Sequence, residues 1–275
     1  MQINDRVAVI TGGGSGIGEA LARACVDGGA RHVVVADLNG EQAERVADDI
    51  GGTAVAIDVA DEAAVVDLVN STENAHGPID LFCSNAGYIV QGGLEVPSEA
   101  INKMWQVHVM AHIYAARAVL PSMIARGEGY LLNTASAAGL LTQLDSLPYS
   151  VTKGAAVSTA EWLAIAHKHQ GIGVSVLCPQ AVRTNIIVNS PDEKLAEAEG
   201  FGVAGGDGIV EPAEVATMCL DAIAEQRFWV LPHPEVAEYA KRKADDVDRW
   251  LEGMRRFGQR LFAEESLPGD WLVGE

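Results

Sequence analysis

Up to about Pro179, short apolar runs rich in β-branched residues alternate with longer stretches whose apolar positions recur every three or four residues. Arg6-Val-Ala-Val-Ile-Thr11 is the first such run; it ends in a cluster of glycines and is followed at 17–26 by spacing and alanine content that predict a helix. The alternation continues with predicted strands at 32–36, 53–57, 80–84, 129–134 and 173–177. Predicted helices lie between them at 40–50, 61–75, 98–126 and 149–169. Strands apolar throughout and separated by helices imply a parallel sheet covered on both faces. Right-handed crossovers wind such units into a single doubly wound α/β domain of Rossmann type.

Beyond Pro179 the pattern loosens. Residues 186–210 are mainly polar, glycine-rich and acidic, and read as a mobile insertion on the substrate side. Pro212 stands at a good first-turn position for a helix to Glu225, and 227–231 reads as a last strand. From Glu235, the positions Val236, Ala240, Ala244, Val247, Leu251, Met254, Phe257 and Leu261 predict one long amphipathic helix, with Gly253 and Gly258 as weak points. Residues 1–234 thus form the domain and 235–275 a helical extension of it. The apolar stripe of the extension, with Trp250 beside it, must be buried near the pocket of its own subunit or on a neighbour.

Composition narrows the possible partners. The 275 residues are 48% hydrophobic and 21% charged, which suits one domain with a sizeable core. The net charge of −19 repels phosphate backbones and anionic lipid, so neither nucleic acid nor a membrane is an expected partner. Half of the 38 acidic residues fall after residue 191. Cys25, Cys83, Cys178 and Cys219 are scattered singly in apolar surroundings, which suits free core thiols rather than a zinc site or disulfides; no metal is expected. A polar start at Met1–Asp5, with no apolar run near the ~18–20 residues of a membrane span, points to a cytoplasmic protein.

The candidate chemistry begins at the first glycine cluster. Thr11-Gly-Gly-Gly-Ser-Gly-Ile-Gly18 has the spacing G-x-x-x-G-x-G through Gly12, Gly16 and Gly18, between a strand and a helix. Such a turn lets backbone approach a pyrophosphate, whose charge meets the N–H groups at the helix start. Asp37 ends the second strand about 20 residues on, where a carboxylate accepts from ribose hydroxyls and repels a 2′-phosphate. No Lys or Arg stands at Ser15, Leu38 or Asn39, so NAD is expected rather than NADP. Asp37 can also be read as a helix cap, for which Asn39 is the better candidate. Asp58-Val59 closes the third strand, where a carboxylate can meet an adenine amino group or cap the next helix.

Tyr149-Ser-Val-Thr-Lys153 places a phenol and an ammonium on one helix face. A phenol with its usual pKa of about 10 is a poor base at neutral pH, and a nearby cation favours the phenolate. Ser136 lies thirteen residues before Tyr149, just past the strand 129–134, at the carboxyl edge where open α/β sheets bind ligands. With Asn85-Ala86-Gly87 after the fourth strand, this set resembles the short-chain dehydrogenase/reductase family over roughly residues 5–231.

The resemblance implies that Tyr149 is the general base for alcohol oxidation and general acid for carbonyl reduction. Lys153 would hold the nicotinamide ribose and lower the Tyr149 pKa, and Ser136 would position the substrate oxygen. Gly12, Ser15, Gly16, Ile17, Gly18, Asp37, Leu38, Asp58, Val59, Asn85, Ala86 and Gly87 are the implied cofactor contacts, with Tyr149 and Lys153. Pro179, Val182 and Thr184 match the segment that closes over the nicotinamide. Two positions depart from the family. His108 replaces an asparagine in the central helix and is expected to join a proton path or to pack there structurally. Gln180 replaces a glycine near the substrate. Leu140, Leu141, Gln143, Gln180 and Ile186 are expected to face a moderately hydrophobic secondary alcohol or ketone. The alternatives are a reductase of a 3-oxoacyl or steroid-type ketone, or a non-catalytic NAD-binding regulator. The family resemblance also implies a homodimer or homotetramer built through the helices around 98–126 and 149–169.

Overall fold

A computed structural model describes residues 1–184, 186 and 206–262. Most of the insertion expected at 186–210, and the chain after 262, lie outside the described residues. Seven parallel strands form one sheet: β1 (Val7–Thr11), β2 (His32–Asp37), β3 (Thr53–Ala56), β4 (Leu81–Ser84), β5 (Gly129–Thr134), β6 (Ile172–Leu177) and β7 (Trp229–Val230). Their spatial order is β3-β2-β1-β4-β5-β6-β7. The helices are α1 (Gly16–Asp27), α2 (Gly40–Ile50), α3 (Glu62–His76), α4 (Ser98–Trp105), α5 (Ala111–Arg126), α6 (Ala138–Leu141), α7 (Leu147–His167), α8 (Pro212–Glu225), α9 (Glu235–Asp245) and α10 (Val247–Leu261).

Strand alternation sorts the core into two layers. Val7 and Val9 of β1 face Val119 and Met123 of α5 and Ala156 of α7, whereas Ala8 and Ile10 face Leu21 of α1, Val46 of α2 and Val215 of α8. Both faces are covered, as apolar strands require. Local signals set the helix starts: Asn39 accepts from Gln42 N–H at 3.1 Å, Asp61 from Ala63 N–H at 2.9 Å, and Ser146 from Tyr149 N–H at 3.2 Å. All four cysteines are buried and unpaired.

Three expectations need correction. The C-terminal extension is two helices, because Asp246 interrupts it and caps α10 by accepting from Arg249 N–H at 3.0 Å. Aspartate is poor inside a helix and strong at its start, so it outweighs Gly253 and Gly258, which stay helical. The last strand shrinks to two residues. A π-helical turn, Gln106–Met110, links α4 to α5 and carries His108. The continuous helical stretch Ser98–Arg126 is long and apolar enough to cross a membrane by length and composition. Here its apolar face packs in the core, where Ala115, Val119 and Met123 are buried.

The extension docks on its own subunit. Val236 of α9 is buried with Ala137 and Leu141, the Tyr239 and Trp250 rings lie 6.4 Å apart, and Lys243 Nζ donates to the Leu140 carbonyl at 2.6 Å. At the opposite, amino-terminal edge of the sheet, Asp80 is 5% exposed. It accepts from Val7 N–H at 2.9 Å, Arg6 at 3.2 Å and Arg126 at 3.4 Å. Asp80→Ala leaves a buried N–H and two guanidinium groups without that partner, and is expected to cost about 2–4 kcal/mol, read as a lower urea midpoint.

Candidate active site

The chain leaves β1 toward β2 on one side and enters β4 on the other, so the carboxyl edge parts between β1 and β4. A groove of about 1620 Å³ opens there, more than a small ligand alone needs. Its first half is lined by Gly12, Ser15, Gly16, Ile17, Asp37, Leu38, Asp58 and Val59. Gly12 has φ +62°, and a Cβ there would meet Ala86 Cα at 2.8 Å. A Cβ on Gly18 would sit 2.0 Å from the Gly12 carbonyl oxygen, so Gly18 permits the tight turn without lining the groove itself. Asp37 Oδ2 accepts from Gly14 N–H at 2.9 Å and Oδ1 from Asn39 N–H at 2.9 Å, which aims the carboxylate at the turn. Arg45, absent from the expected set, reaches the Gly14 carbonyl at 3.2 Å, but its charge is paired with Glu19 at 2.9 Å.

Asn85 joins this half to the second. Its Nδ2 donates to the carbonyls of Thr11 at 3.2 Å and Gly12 at 3.4 Å, while its Oδ1 accepts from Thr134 Oγ1 at 3.1 Å. Thr11 Oγ1 accepts from Asn85 N–H at 3.0 Å and Ala86 N–H at 3.3 Å. The ends of β1, β4 and β5 are therefore held by one amide and two hydroxyls. Ala86, Gly87, Pro179, Val182 and Thr184 line the adjoining wall.

Ser136, Tyr149 and Lys153 meet in the second half, all lining the groove and all buried within their residues. Ser136 Oγ donates to the Pro179 carbonyl at 3.3 Å and accepts from Ala138 N–H at 3.1 Å, which fixes its rotamer. Lys153 Nζ donates to the Thr134 carbonyl at 3.0 Å and lies 5.6 Å from the Tyr149 ring centroid. Burial pushes the Tyr149 phenol up to about 12, opposed by its hydrogen bond to Ser136. Burial also pulls the Lys153 ammonium down to about 8. A buried phenol beside a buried ammonium and a fixed hydroxyl can move a proton to or from an alcohol oxygen.

His108 is fully buried and does not line the groove. Its Nε2 accepts from Tyr88 N–H at 3.2 Å, and its Nδ1 lies 3.0 Å from Thr152 Oγ1. The Thr152 hydroxyl has one proton, donated to the Pro148 carbonyl at 2.8 Å, so His108 must be the Nδ1–H donor to it. Both nitrogens are thereby engaged in the neutral form. Burial and then the Lys153 charge hold its pKa well below the usual imidazole range. This geometry fits a clamp between the loop after β4 and α7, with one ring nitrogen donating and the other accepting.

On the substrate side, Leu141, Gln143, Gln180 and Ile186 line the groove. Leu140 does not: it packs in the cluster of Ala137, Leu141, Val236 and Leu231 instead. Groove residues not anticipated from sequence are Tyr88, Gln91, Asp145 and Tyr239, together with Met254 and Phe257 of the apolar stripe and Trp250 beside it. Gln180 Nε2 donates to Asp207 at 2.9 Å and Tyr239 Oη donates to the same carboxylate at 3.1 Å, tying the β6 exit to α9. The stripe itself was a visible signal; where it docks was not.

A family model described as short chain dehydrogenase matches residues 6–195. A 1-deoxy-11-beta-hydroxypentalenate dehydrogenase of Streptomyces exfoliatus is 33% identical over 258 residues, covering 90% of each chain. The meso-2,3-butanediol dehydrogenase of Serratia marcescens is 33% identical over 225 residues, 79% of this chain and 87% of the relative. Among solved structures, a short-chain dehydrogenase/reductase from Burkholderia phymatum in complex with NAD superposes with a TM-score of 0.80 at 31% identity, covering 90% of this chain and 96% of that one. The chain belongs to the short-chain dehydrogenase/reductase family and is an oxidoreductase acting on CH–OH groups. Asn85→Asp keeps the acceptor for Thr134 but turns a carboxylate onto the carbonyls of Thr11 and Gly12; it is expected to cost about 2–4 kcal/mol, measured by urea unfolding, with faster amide exchange at 12–18.

Proposed function

We propose that the protein transfers hydride between NAD and a moderately hydrophobic secondary alcohol or ketone, with Tyr149 as general acid and base. The observation that carries this is the convergence of Ser136, Tyr149 and Lys153 in the inner half of the groove, buried and hydrogen-bonded into place. Tyr149 takes the alcohol proton in oxidation and returns it in reduction. Lys153 lowers the cost of the phenolate, and Ser136 donates to the substrate oxygen as charge develops there.

The glycine turn, the α1 start, Asp37, Asp58 and the Asn85–Gly87 wall suit a dinucleotide: a Cβ at Gly12 or Gly18 would fill the space backbone needs. NAD, when bound, supplies the hydride acceptor. Asp37 keeps lone pairs for ribose hydroxyls beyond those given to Gly14 and Asn39, and Arg45 is committed to Glu19, which supports NAD over NADP. The named relatives act on secondary alcohols, and the cofactor of the Burkholderia structure is NAD, in keeping with this reading. Trp250, Met254 and Phe257 supply the apolar wall. His108 acts as a positioning residue for the Tyr88 loop. Exposed Leu147, Val151, Trp162 and Ile165 along α7, with Trp105 on α4, support assembly into a homo-oligomer through these helices.

A panel of secondary alcohols, assayed with NAD and NADP by reduced-cofactor absorbance, is the direct test. Turnover with NAD is expected at least about tenfold above NADP in kcat/KM, and Asp37→Ala should narrow that ratio. Tyr149→Phe is expected to lower kcat by about 10²–10⁴ while NADH fluorescence still reports binding. Oxidation should rise with pH as the phenolate forms, and Lys153→Met should move that limb to higher pH by removing the cation. Cofactor binding without turnover across the panel would favour a regulator instead. For His108→Asn, the expected outcome is a lower kcat with no ionisation lost from the pH profile; loss of an ionisation would support the proton-path role instead.

A further inference from the structure

The turn from α6 to α7 ends at Asp145, four residues before Tyr149, and Asp145 lines the same groove. Backbone bonds hold this turn without the carboxylate. Gly92 N–H donates to the Asp145 carbonyl at 2.8 Å, and Leu147 N–H donates to the Gly92 carbonyl at 2.9 Å. Ser146 Oγ donates to the Val90 carbonyl at 2.5 Å while it caps α7. Capping thus falls to Ser146, and the Asp145 side chain is not needed for it. Its Oδ2 accepts from Gln91 Nε2 at the long distance of 3.5 Å. Its Oδ1 is buried and has no hydrogen-bond partner among the described residues.

A carboxylate oxygen withdrawn from water without a donor is costly and uncommon. Burial raises the Asp145 carboxyl above its ordinary 3.8, while the amides of Gln143 and Gln91 pull it back. Lys103 also lines the groove, but no ion pair joins it to Asp145 among the described residues. An ionised carboxylate only accepts, so the group that completes it must bring a donor. Its negative charge also disfavours an anionic substituent at the same place. Trp250, Met254 and Phe257 line the same groove and suit an apolar body.

We propose that Asp145, flanked by Gln91 and Gln143, recognises a second hydroxyl near the reacting carbon, so that the preferred substrates are neutral diols or hydroxy ketones with an apolar body. This rests on the alcohol oxidoreductase reading above. It deepens that reading by making Asp145 a specificity determinant that separates diols from simple alcohols and from hydroxy acids.

The test is the NAD-linked kcat/KM of the full-length protein on matched pairs: trans-1,2-cyclohexanediol against cyclohexanol, and open-chain vicinal diols against their mono-alcohols. The wild type is expected to favour the diols by about tenfold or more, chiefly through KM. Asp145→Ala should bring the ratio near one. Asp145→Asn, close in shape and still holding one acceptor, should fall between. Melting temperature and NADH fluorescence establish that each variant is folded, and the Asn variant serves should the Ala variant not fold. Oxidation of the mono-alcohols with no diol preference, or a preference unchanged in both variants, overturns this proposal alone. Failure of every alcohol in the panel to be oxidised overturns the underlying reading and this proposal with it.

Discussion

The parting of β1 and β4 is bridged by the side chain of Asn85, and the rest of the site hangs from that bridge. A doubly wound sheet must open at this point, because consecutive crossovers leave β1 and enter β4 on opposite sides. The opening exposes backbone carbonyls that a ligand cannot satisfy. Asn85 answers two of them, at Thr11 and Gly12, and accepts from Thr134. Since the Thr134 carbonyl is the acceptor for Lys153, the glycine turn and the buried Lys153 ammonium share one short chain of hydrogen bonds. Few contacts are needed because the parallel strands already bring every carboxyl end to one edge.

Desolvation then does most of the electrostatic tuning. The same burial that raises the Tyr149 phenol lowers the Lys153 ammonium, because in each case it is the charged form that loses its hydration. A cation among apolar neighbours needs acceptors, and Thr134 provides one. Neutral imidazoles at His108 and His112, the latter pulled down to about 3 by burial, keep further positive charge away from Lys153. The π-helical turn that carries His108 is the backbone adjustment that brings this ring within reach of Tyr88 N–H and Thr152 together.

The acidic C-terminal region has a structural side as well. Through α9 the extension is anchored at α6, shortly after Ser136, by Val236 in an apolar cluster and by Lys243, and at the β6 exit by Tyr239 through Asp207. Its walls reach the groove through Tyr239, Trp250, Met254 and Phe257. This wall of the groove is therefore built by elements outside the part that carries Asn85 and Lys153.

The order of strands and helices, the glycine turn, Asp37 at the second strand end and the Ser136, Tyr149, Lys153 set are all legible in the sequence. Each is encoded by neighbours in the chain: period-two and period-3.6 patterns, a phenol and ammonium one helical turn apart, glycines at fixed spacing. The break at Asp246 was legible too, as a capping residue in mid-helix, but the run of apolar positions masked it. What tertiary structure alone decided are relations between distant segments. Leu140 and Leu141 are adjacent and both pack in the cluster around Val236 of α9, yet only Leu141 also reaches the groove. His108 is held between Tyr88 and Thr152, twenty and forty-four residues away. Asp145 is left with an unanswered oxygen because Ser146 does the capping and Gly92 holds the turn. Local sequence carries the periodicity of burial and the chemistry of neighbours; which hydrogen bonds are already spent depends on what the fold brings alongside.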